Sequence, residues 1–508
     1  MRMVGHALFR TTLGLATALA CVPARAQQAA DQLGSLQAPA PQPTSTQPAS
    51  AQPASTQLPG SQPGADGSAE APAPDLAAPP GFWDRDGLTG NWGGLRGRLA
   101  DNGLALNLVY VGEVFGLTQG GVKRDTAGDG RFEATVELDA QTAFDWHGLL
   151  FHATAYGIHG HGLSRCCLQN IATVSNIEAL PGARLFTLWA QQALWDGQVS
   201  LRVGQLAADD EFVTSRGSAL FVNGTFGWQA ITGADLPGGG PAYPLATPGA
   251  RVQVSATPEL TVLGAVFSGN PAGSAIGEAQ ALDPSGTTFS FSGDVFTLME
   301  AQYQPAVDEG GPWGNGGQAP VFKLGAWFHG GPFSDEHHAA SGETLADPSS
   351  GGVPATRRND WGVYGVADVP LWHTGDKPDG GLAAFLRLAG APADRNLIAF
   401  YADGGLTWKG LLPVWPDDTA GLAVAYAQIG SAAAGLDQDY RHYGRPYYPV
   451  RDHELLVELS YQAVVAGWAT LQPNVQYVVH PGGNVLVPGR TSAVGDGLVL
   501  GLRTSVRL

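Results

Sequence analysis

The sequence lacks long apolar runs and has few charges, and these two absences limit what the protein can be. After residue 26, no stretch provides the roughly 18 consecutive apolar residues of a transmembrane helix. Charged residues are only 14% of the chain, and their balance is acidic, with a formal net charge of −18. An acidic chain is poorly suited to bind nucleic acid or anionic surfaces. We therefore exclude transmembrane helices and nucleic-acid partners.

Cysteine is also scarce. Of three cysteines, Cys21 lies in the N-terminal leader, which leaves only the adjacent Cys166 and Cys167. Neighbouring cysteines can close only a strained ring, so no disulfide framework supports the fold. We expect two loop cysteines, bonded or reduced, without a functional role. A soft-metal site that includes His159 and His161 is the less favoured alternative, and we predict neither a metal nor a cofactor.

Glycine, in contrast, is abundant, with 71 of 508 residues, and aromatic residues are frequent. Few charges and many glycines suit a barrel that presents half of its strand surface to lipid. They also suit a secreted all-β protein that binds glycans. Composition alone does not decide between these two classes.

The N-terminus predicts export. Residues 1–26 combine early arginines, an apolar run and an Ala-Arg-Ala sequence ending at Ala26, which together indicate a signal peptide cleaved near that residue. Lipid attachment at Cys21 is disfavoured because the residues before it make a poor lipobox. Residues 27–80 consist largely of Ala, Pro, Gln, Ser, Thr and Gly, and such a segment cannot offset its ordering entropy. We predict a disordered tether that acts as a spacer, with reach toward the cell wall as the alternative.

Residues 131–145 show the clearest structural pattern, because apolar and polar side chains alternate along them. A period of two predicts a β-strand with one apolar and one wet face. About sixteen such segments occur, an even number typical of outer-membrane barrels. The predicted strands are 104–115, 131–145, 149–158, 185–195, 199–205, 251–256, 260–268, 289–303, 321–329, 361–369, 382–388, 397–408, 419–429, 454–465, 468–480 and 497–508.

The connections and the last strand favour a barrel over a soluble sandwich. The early connections alternate between long and tight, as in outer-membrane barrels, which have short periplasmic turns and long outer loops. Three later connections break this alternation. The apolar last strand ends at Leu508, as expected of a barrel that closes on its first strand. We predict an all-β fold: a transmembrane antiparallel β-barrel of about 16 strands at 104–508, preceded by a periplasmic segment with a short helix at 81–103.

Several stretches resemble the carbohydrate-selective porins of the OprB type, and the resemblance extends over about residues 82–508. The stretches that carry it are LTGNWGGLR at 88–96, RVGQLAADDEF at 202–212, LFVNGTFGW at 220–228, PAYPLATPGAR at 241–251, ELSY at 458–461 and PNVQYVVHPGG at 473–483. The resemblance implies a sixteen-stranded outer-membrane channel for sugars, narrowed by inward-folded loops. It also implies that the long segment 206–250 forms part of the constriction. The tether and the final Leu508, where such barrels usually end in Phe, depart from the family pattern.

A sugar pore needs groups that replace the hydration of the sugar without holding it tightly. Carboxylates accept hydroxyls, arginine donates in a planar fork, and an aromatic ring covers a pyranose face. We predict as pore-lining contacts Arg202, Asp210, Glu211, Trp228 and Arg251, joined by the inward-facing Glu133, Glu137, Asp139, Arg387 and Arg503. The alternative is that such residues pair with one another as rigid wall, which we expect above all of Arg503 and Arg507.

We predict an outer-membrane porin for passive, carbohydrate-selective diffusion of sugars such as glucose. Its expected partners are mono- or disaccharides, outer-membrane lipids, the barrel-assembly machinery and, through the tether, the cell wall. The alternatives are a general diffusion porin, a secreted glycan-binding β-protein and a barrel hydrolase. An enzyme is disfavoured because no G-x-S-x-G motif occurs. In addition, the sequence from His453 and Glu454 has Val457 where a zinc-protease motif needs its second histidine.

Overall fold

A computed structural model describes residues 81–273, 277–291, 293–306, 317–374 and 379–508. The predicted signal peptide, its cleavage site and the tether at 27–80 lie outside the described residues. No helix in the described part of the chain is long and apolar enough to cross a bilayer.

Within the described residues, sixteen antiparallel strands form one closed barrel, so the predicted fold class is confirmed. Each strand pairs with its neighbours in the chain, and β16 pairs with β1, which removes the open edge of the sheet. The strands are β1 Leu104–Gly121, β2 Thr126–Asp139, β3 Leu149–His159, β4 Gly182–Leu194, β5 Val199–Leu206, β6 Thr247–Ser255, β7 Leu260–Ser268, β8 Val295–Tyr303, β9 Val321–Ala339, β10 Pro354–His373, β11 Gly381–Gly390, β12 Ile398–Lys409, β13 Thr419–Ile429, β14 His453–Ala466, β15 Ala469–Val479 and β16 Gly495–Arg507.

The helices are short and lie outside the strands. They are α1 Leu95–Ala100, α2 Ala140–Phe144, α3 Ala230–Asp235, α4 Ala279–Leu282, α5 Ser431–His442 and α6 Pro481–Asn484. Single turns of 3₁₀ or π helix occur at Phe82–Asp84, Trp92–Gly94, Ser164–Leu168, Ala208–Asp210, Ser218–Leu220, Gly224–Phe226, Pro237–Gly239 and Pro348–Ser350.

The barrel reverses the usual distribution of polar and apolar side chains. In β16, Leu500 and Leu502 are 47% and 44% exposed, whereas the alternating Val499 and Arg503 are buried. The exposed positions of the other strands are likewise mostly Leu, Val and Phe, and many of the buried ones are charged or amide side chains. An apolar outer face and a polar inner face are expected of a barrel in lipid.

The second strand ends earlier than its alternating pattern predicts. It stops at Asp139, and Ala140–Phe144 form α2 instead. The Asp139 carboxylate accepts hydrogen bonds from the Gln141 N–H at 3.0 Å and the Thr142 hydroxyl at 2.6 Å. An aspartate that can cap a helix competes with strand pairing in this way. The predicted strand 131–145 is therefore wrong over its last residues.

The links at the α2 end of the barrel carry exposed tryptophans. Trp146, Trp195 and Trp415 lie in links between an even-numbered strand and the next strand, and each is more than half exposed. Trp83 of the N-terminal segment stacks on Trp468 at this end, with ring centroids 5.9 Å apart. Indole rings prefer the membrane–water interface, so this end of the barrel has the aromatic girdle of a membrane boundary.

Two links on the opposite end, 160–181 and 207–246, consist mainly of buried residues. Phe221 and Phe226 of the second link pack with Phe385 of β11, with ring centroids 4.9–6.2 Å apart. The hydrophobic core of the molecule therefore lies between these inserted links and the barrel wall. The long connection expected at 116–130 is instead a short one, because β1 and β2 extend to Gly121 and Thr126.

Candidate functional site

The inserted link 207–246, here called the inner loop, is held by acidic side chains of the barrel wall. Glu458 on β14 accepts hydrogen bonds from the backbone N–H groups of Val222 and Asn223, at 2.7 and 2.9 Å. The Asn223 side chain also donates to Gln476 on β15 at 2.9 Å. A loop inside a barrel cannot use strand pairing for its N–H groups, so it needs such acceptors.

A second part of the barrel wall, at β8 and β10, holds the inner loop in the same way. Asp368 on β10 accepts from the Ser215 hydroxyl at 2.6 Å and from the N–H groups of Arg216 and Gly217 at 3.1 and 3.0 Å. Glu300 on β8 accepts from the Val213 N–H at 2.8 Å. These wall carboxylates lie on inward positions of their strands, and strand alternation alone could have identified them as inward-facing.

Arg387, a predicted pore contact, is fully buried and holds the inner loop instead. Its guanidinium donates to the carbonyl groups of Val213, Thr225 and Gly227 at 2.8–3.2 Å. It also pairs with Asp403 on the neighbouring strand β12 at 2.7 Å. Because these bonds engage its donors and no surface is exposed, Arg387 offers nothing to a solute in this structure.

The shorter inserted link 160–181 uses the same arrangement. Glu454 on β14 accepts from the N–H groups of Ile171, Ala172 and Gly482 at 2.7–2.8 Å. On the other side, Glu113 on β1 accepts from the Ser175 hydroxyl at 2.5 Å and pairs with Arg503.

Arg503 thus follows the alternative reading, in which an inward arginine is part of the rigid wall. It bonds Glu113 and the Asn176 side chain, and it is 4% exposed. Its place among the predicted pore contacts is not supported by this geometry.

Cys166 and Cys167 form a disulfide with each other. Bonded sulfurs are not thiolate ligands, so the soft-metal alternative with His159 and His161 is wrong. The Cys167 carbonyl accepts from the Val122 N–H at 2.7 Å, which ties the link 160–181 to the β1–β2 hairpin.

Five polar residues on β2, β3, β5 and the start of the inner loop stay partly exposed around the buried Trp189 of β4. We call Glu137, His152, Trp189, Arg202, Asp210 and Glu211 together the lumen patch.

Trp189 lies between two planar groups of the lumen patch. The guanidinium carbon of Arg202 is 3.8 Å from its ring centroid, and the His152 ring stacks on it at 4.5 Å with planes 6° apart. Two such groups cannot share one face at these distances, so both faces of the indole are covered. The patch therefore presents polar groups rather than an aromatic face.

Glu211 joins two of the predicted arginines. Its carboxylate accepts from Arg251 at 2.7 and 2.9 Å and lies 3.3 Å from Arg202. Gln191 on β4 accepts from the same two guanidinium groups at 2.9–3.1 Å. Arg251 is almost fully buried, whereas the side chains of Arg202 and Glu211 keep 15% and 14% of their surface exposed.

The lumen patch has three carboxyl groups, of Glu137, Asp210 and Glu211. Among the described residues, only that of Asp210 has no hydrogen-bond partner, and its residue is half-buried. Burial raises its pKa, and the neighbouring carboxyl of Asp209 raises it further, while the charge of Arg202 opposes the shift. Burial likewise raises the pKa of Asp209, which accepts from the Tyr243 N–H at 3.1 Å. Asp210 thus combines an accessible position with a readily protonated carboxyl group.

The remaining predicted contacts differ in their surroundings. Glu137 bonds His152 at 3.0 Å within the lumen patch, and Glu133 pairs with Arg131 at 2.9 Å. Asp139 caps α2 at the membrane-interface end of β2, and its carboxylate is engaged by Gln141 and Thr142.

Trp228 does not line the pore. It is 1% exposed, and its indole N–H donates to the Gly239 carbonyl of the same loop at 3.0 Å. A ring enclosed in this way cannot cover a pyranose face. Trp228 is predicted as a contact because of its place in the long link, whereas Trp189 on β4 is not among the predicted contacts, although strand alternation places it inward, opposite His152.

Comparison with known proteins identifies the family. The family model described as carbohydrate-selective porin, OprB family, matches residues 123–508. The chain belongs to this family. Porin B of Pseudomonas aeruginosa is 26% identical over 452 residues, which cover 83% of this chain and 93% of that protein. The high-pH structure of Pseudomonas putida OprB is 25% identical with a TM-score of 0.74, and the match covers 84% of this chain and all of that one.

As a member of the OprB family, the protein belongs to the bacterial outer membrane. Family and barrel fold point to a channel rather than an enzyme. The geometry agrees: Glu454, the acidic residue of the incomplete zinc-protease motif, accepts three backbone N–H groups and is not a free base.

Proposed function

We propose that the protein conducts neutral mono- or disaccharides such as glucose passively across the outer membrane, and that they bind transiently at the lumen patch. The observation that carries this proposal is the partly exposed Arg202 beside two carboxyl groups of the inner loop, Asp210 and Glu211. Most other inward charges near the inserted links are occupied in holding those links.

The lumen patch supplies both kinds of group that a sugar hydroxyl needs. The guanidinium of Arg202 donates, and the carboxyl of Asp210 accepts when ionised and donates when protonated. Because Arg202 is already bonded to Gln191 and Glu211, it can offer only part of its hydrogen-bonding capacity to a solute. Such partial engagement favours weak binding, which a conducting pore requires for release.

Export and assembly complete the proposal. We infer that a signal peptide is removed near Ala26, that barrel-assembly machinery inserts the chain and that lipids cover the apolar outer face. Residues 27–80 act as a spacer, with the cell wall as a partner within reach. The support for these steps is the leader sequence and the tether composition.

The decisive experiment is single-channel recording of the refolded mature protein in a planar bilayer, titrated with glucose and with a disaccharide. We expect discrete openings that the sugar blocks in a saturable manner. Openings that ignore sugar would indicate a general diffusion porin, and absence of openings from heat-modifiable, folded protein would contradict a channel.

Arg202→Lys tests the lumen patch, because lysine keeps the charge but loses the planar fork. We expect sugar block to weaken about tenfold, as for the loss of a hydrogen bond to a charged group. Arg490→Lys, at an exposed position in the link 480–494, is the matched control and should leave block unchanged. Equal block in all three proteins would remove the lumen patch from the sugar path.

A further inference from the structure

Asp452, His453 and His480 form a second cluster of chemically active side chains, at the opposite end of the barrel from the aromatic girdle. Asp452 and His453 lie where the link 430–452 enters β14, and His480 directly follows β15. One donor atom from each residue lies within 4.8 Å of the others, a grouping of three metal-binding side chains that occurs once in the described part of the chain.

The two imidazoles converge on one carboxylate. Nδ1 of His480 is 3.0 Å from Oδ1 of Asp452, and Nδ1 of His453 is 3.5 Å from Oδ2. The two histidine rings have centroids 4.9 Å apart. The backbone N–H of His453 also donates to Asp452 Oδ1 at 2.6 Å, which holds the carboxylate between the two imidazoles.

These separations are close to those of a metal's ligands. Zinc binds imidazole nitrogen and carboxylate oxygen at about 2.0–2.2 Å, which places tetrahedral ligands about 3.3 Å apart. Two histidines and one carboxylate also form a common open site, in which water takes the remaining position. The donor nitrogens of the two histidines lie within 4.8 Å of each other, and an ion bound between them would draw them closer.

We propose that Asp452, His453 and His480 bind a divalent transition-metal ion such as Zn²⁺ at the rim of the barrel. The ion joins the ends of β14 and β15. Tyr426 on β13 stacks on His453 with ring centroids 5.3 Å apart, which fixes one ligand ring.

The bound ion also fastens the two long links that meet there. The Asp452 N–H donates to the Gly483 carbonyl at 2.9 Å, so the links 430–452 and 480–494 already touch beside the site. Glu454, one residue beyond His453, holds both Gly482 and the inserted link 160–181. Metal binding is therefore expected to stiffen the rim next to the anchor of an inserted link.

The test is titration of the folded, tag-free mature protein in detergent with Zn²⁺ alone, followed by calorimetry. A tag-free chain is essential because a histidine tag would bind the same ion. We expect one ion per chain with a dissociation constant in the micromolar range or below. Co²⁺ should give the visible absorption of a four-coordinate site, and Zn²⁺ should displace it. No saturable binding would overturn the proposal.

His480→Asn is the principal variant, because His480 has a positive φ of 49° that asparagine tolerates. We expect it to lose at least about tenfold in Zn²⁺ affinity while remaining heat-modifiable. Asp452→Asn provides a second variant if the first does not fold. His338→Asn is the matched control, since His338 also lies beside a histidine and the carboxylate of Asp335. Equal loss in the control and the site variants would place the ion elsewhere and refute the assignment.

Discussion

Replacing Arg387 with methionine is expected to loosen the inner loop without unfolding the barrel. Methionine keeps much of the aliphatic length but removes every donor that reaches the carbonyls of Val213, Thr225 and Gly227. It also leaves Asp403 buried without its cation. Breaking one side of a buried ion pair costs about 3–5 kcal/mol, and each carbonyl left without a donor adds about 1–3 kcal/mol.

These free-energy costs concern one side chain and its shared partners, so they do not add fully. We therefore take about 4 kcal/mol as the free energy of loop attachment that is lost. At about 1.4 kcal/mol per factor of ten, the population with a displaced inner loop rises roughly a thousandfold. The strand ladders do not depend on the Arg387 side chain, so the barrel should still migrate as a folded, heat-modifiable species. Single-channel conductance should increase, with larger fluctuations than in the parent protein.

A double variant separates the charge from the carbonyl contacts. Arg387→Met combined with Asp403→Asn removes the unpaired buried charge, so part of the loss should be recovered, as expected when both members of a pair are replaced. Asp403 keeps a hydrogen bond from the Tyr401 hydroxyl at 2.6 Å in the single variant, which limits the effect. Unchanged conductance and unchanged protease resistance of the inner loop in Arg387→Met would refute this account of how the loop is held.

Further measurements address other parts of the pore. Trp228→Phe should leave the affinity for blocking sugar unchanged, because the ring is buried and only its bond to Gly239 is lost; weakened block would show that the ring reaches the sugar. Burial holds the pKa of Asp210 above that of an ordinary aspartate, so a rise from acidic to alkaline pH should add negative charge and increase cation selectivity in reversal-potential measurements. Asp210→Asn should flatten that pH dependence. Glu458→Gln should weaken the attachment of the inner loop by about 1–3 kcal/mol and so lower its resistance to protease, because one of the two carboxylate oxygens that accept backbone N–H groups is replaced by a donor NH₂ group.

The strands could be predicted from the sequence because each strand has two different environments, with lipid on one face and the polar barrel interior on the other. In β16, Leu500 and Leu502 contact lipid while Arg503 contacts the interior, so the environment imposes the alternation that the sequence displays. The end of β2 could not be predicted, because the alternation continues through Ala140–Phe144. There the local hydrogen bonds of Asp139 decide the structure.

The roles of the pore residues were harder to predict, because alternation gives the direction of a side chain but not its partner. Strand alternation predicts that Arg202 and Arg387 both face inward. Arg202 borders the lumen, whereas Arg387 is fully enclosed by the inner loop. The difference depends on where the inner loop folds, and that path depends largely on contacts with distant residues such as Asp368 and Glu458, which lie more than a hundred positions away in the chain. The prediction that Trp228 lines the pore is wrong for the same reason.

The wall carboxylates explain why a polar barrel interior can be narrowed at all. An inserted loop brings backbone N–H groups away from water, and each must find an acceptor. Glu300 on β8, Asp368 on β10, and Glu454 and Glu458 on β14 supply acceptors for such groups from three strands of the barrel. Inward charged side chains that hold the inserted links are therefore not available to contact a solute. What remains partly exposed, chiefly Arg202 with the carboxyl groups beside it, is the part of the interior where sugar selectivity can reside.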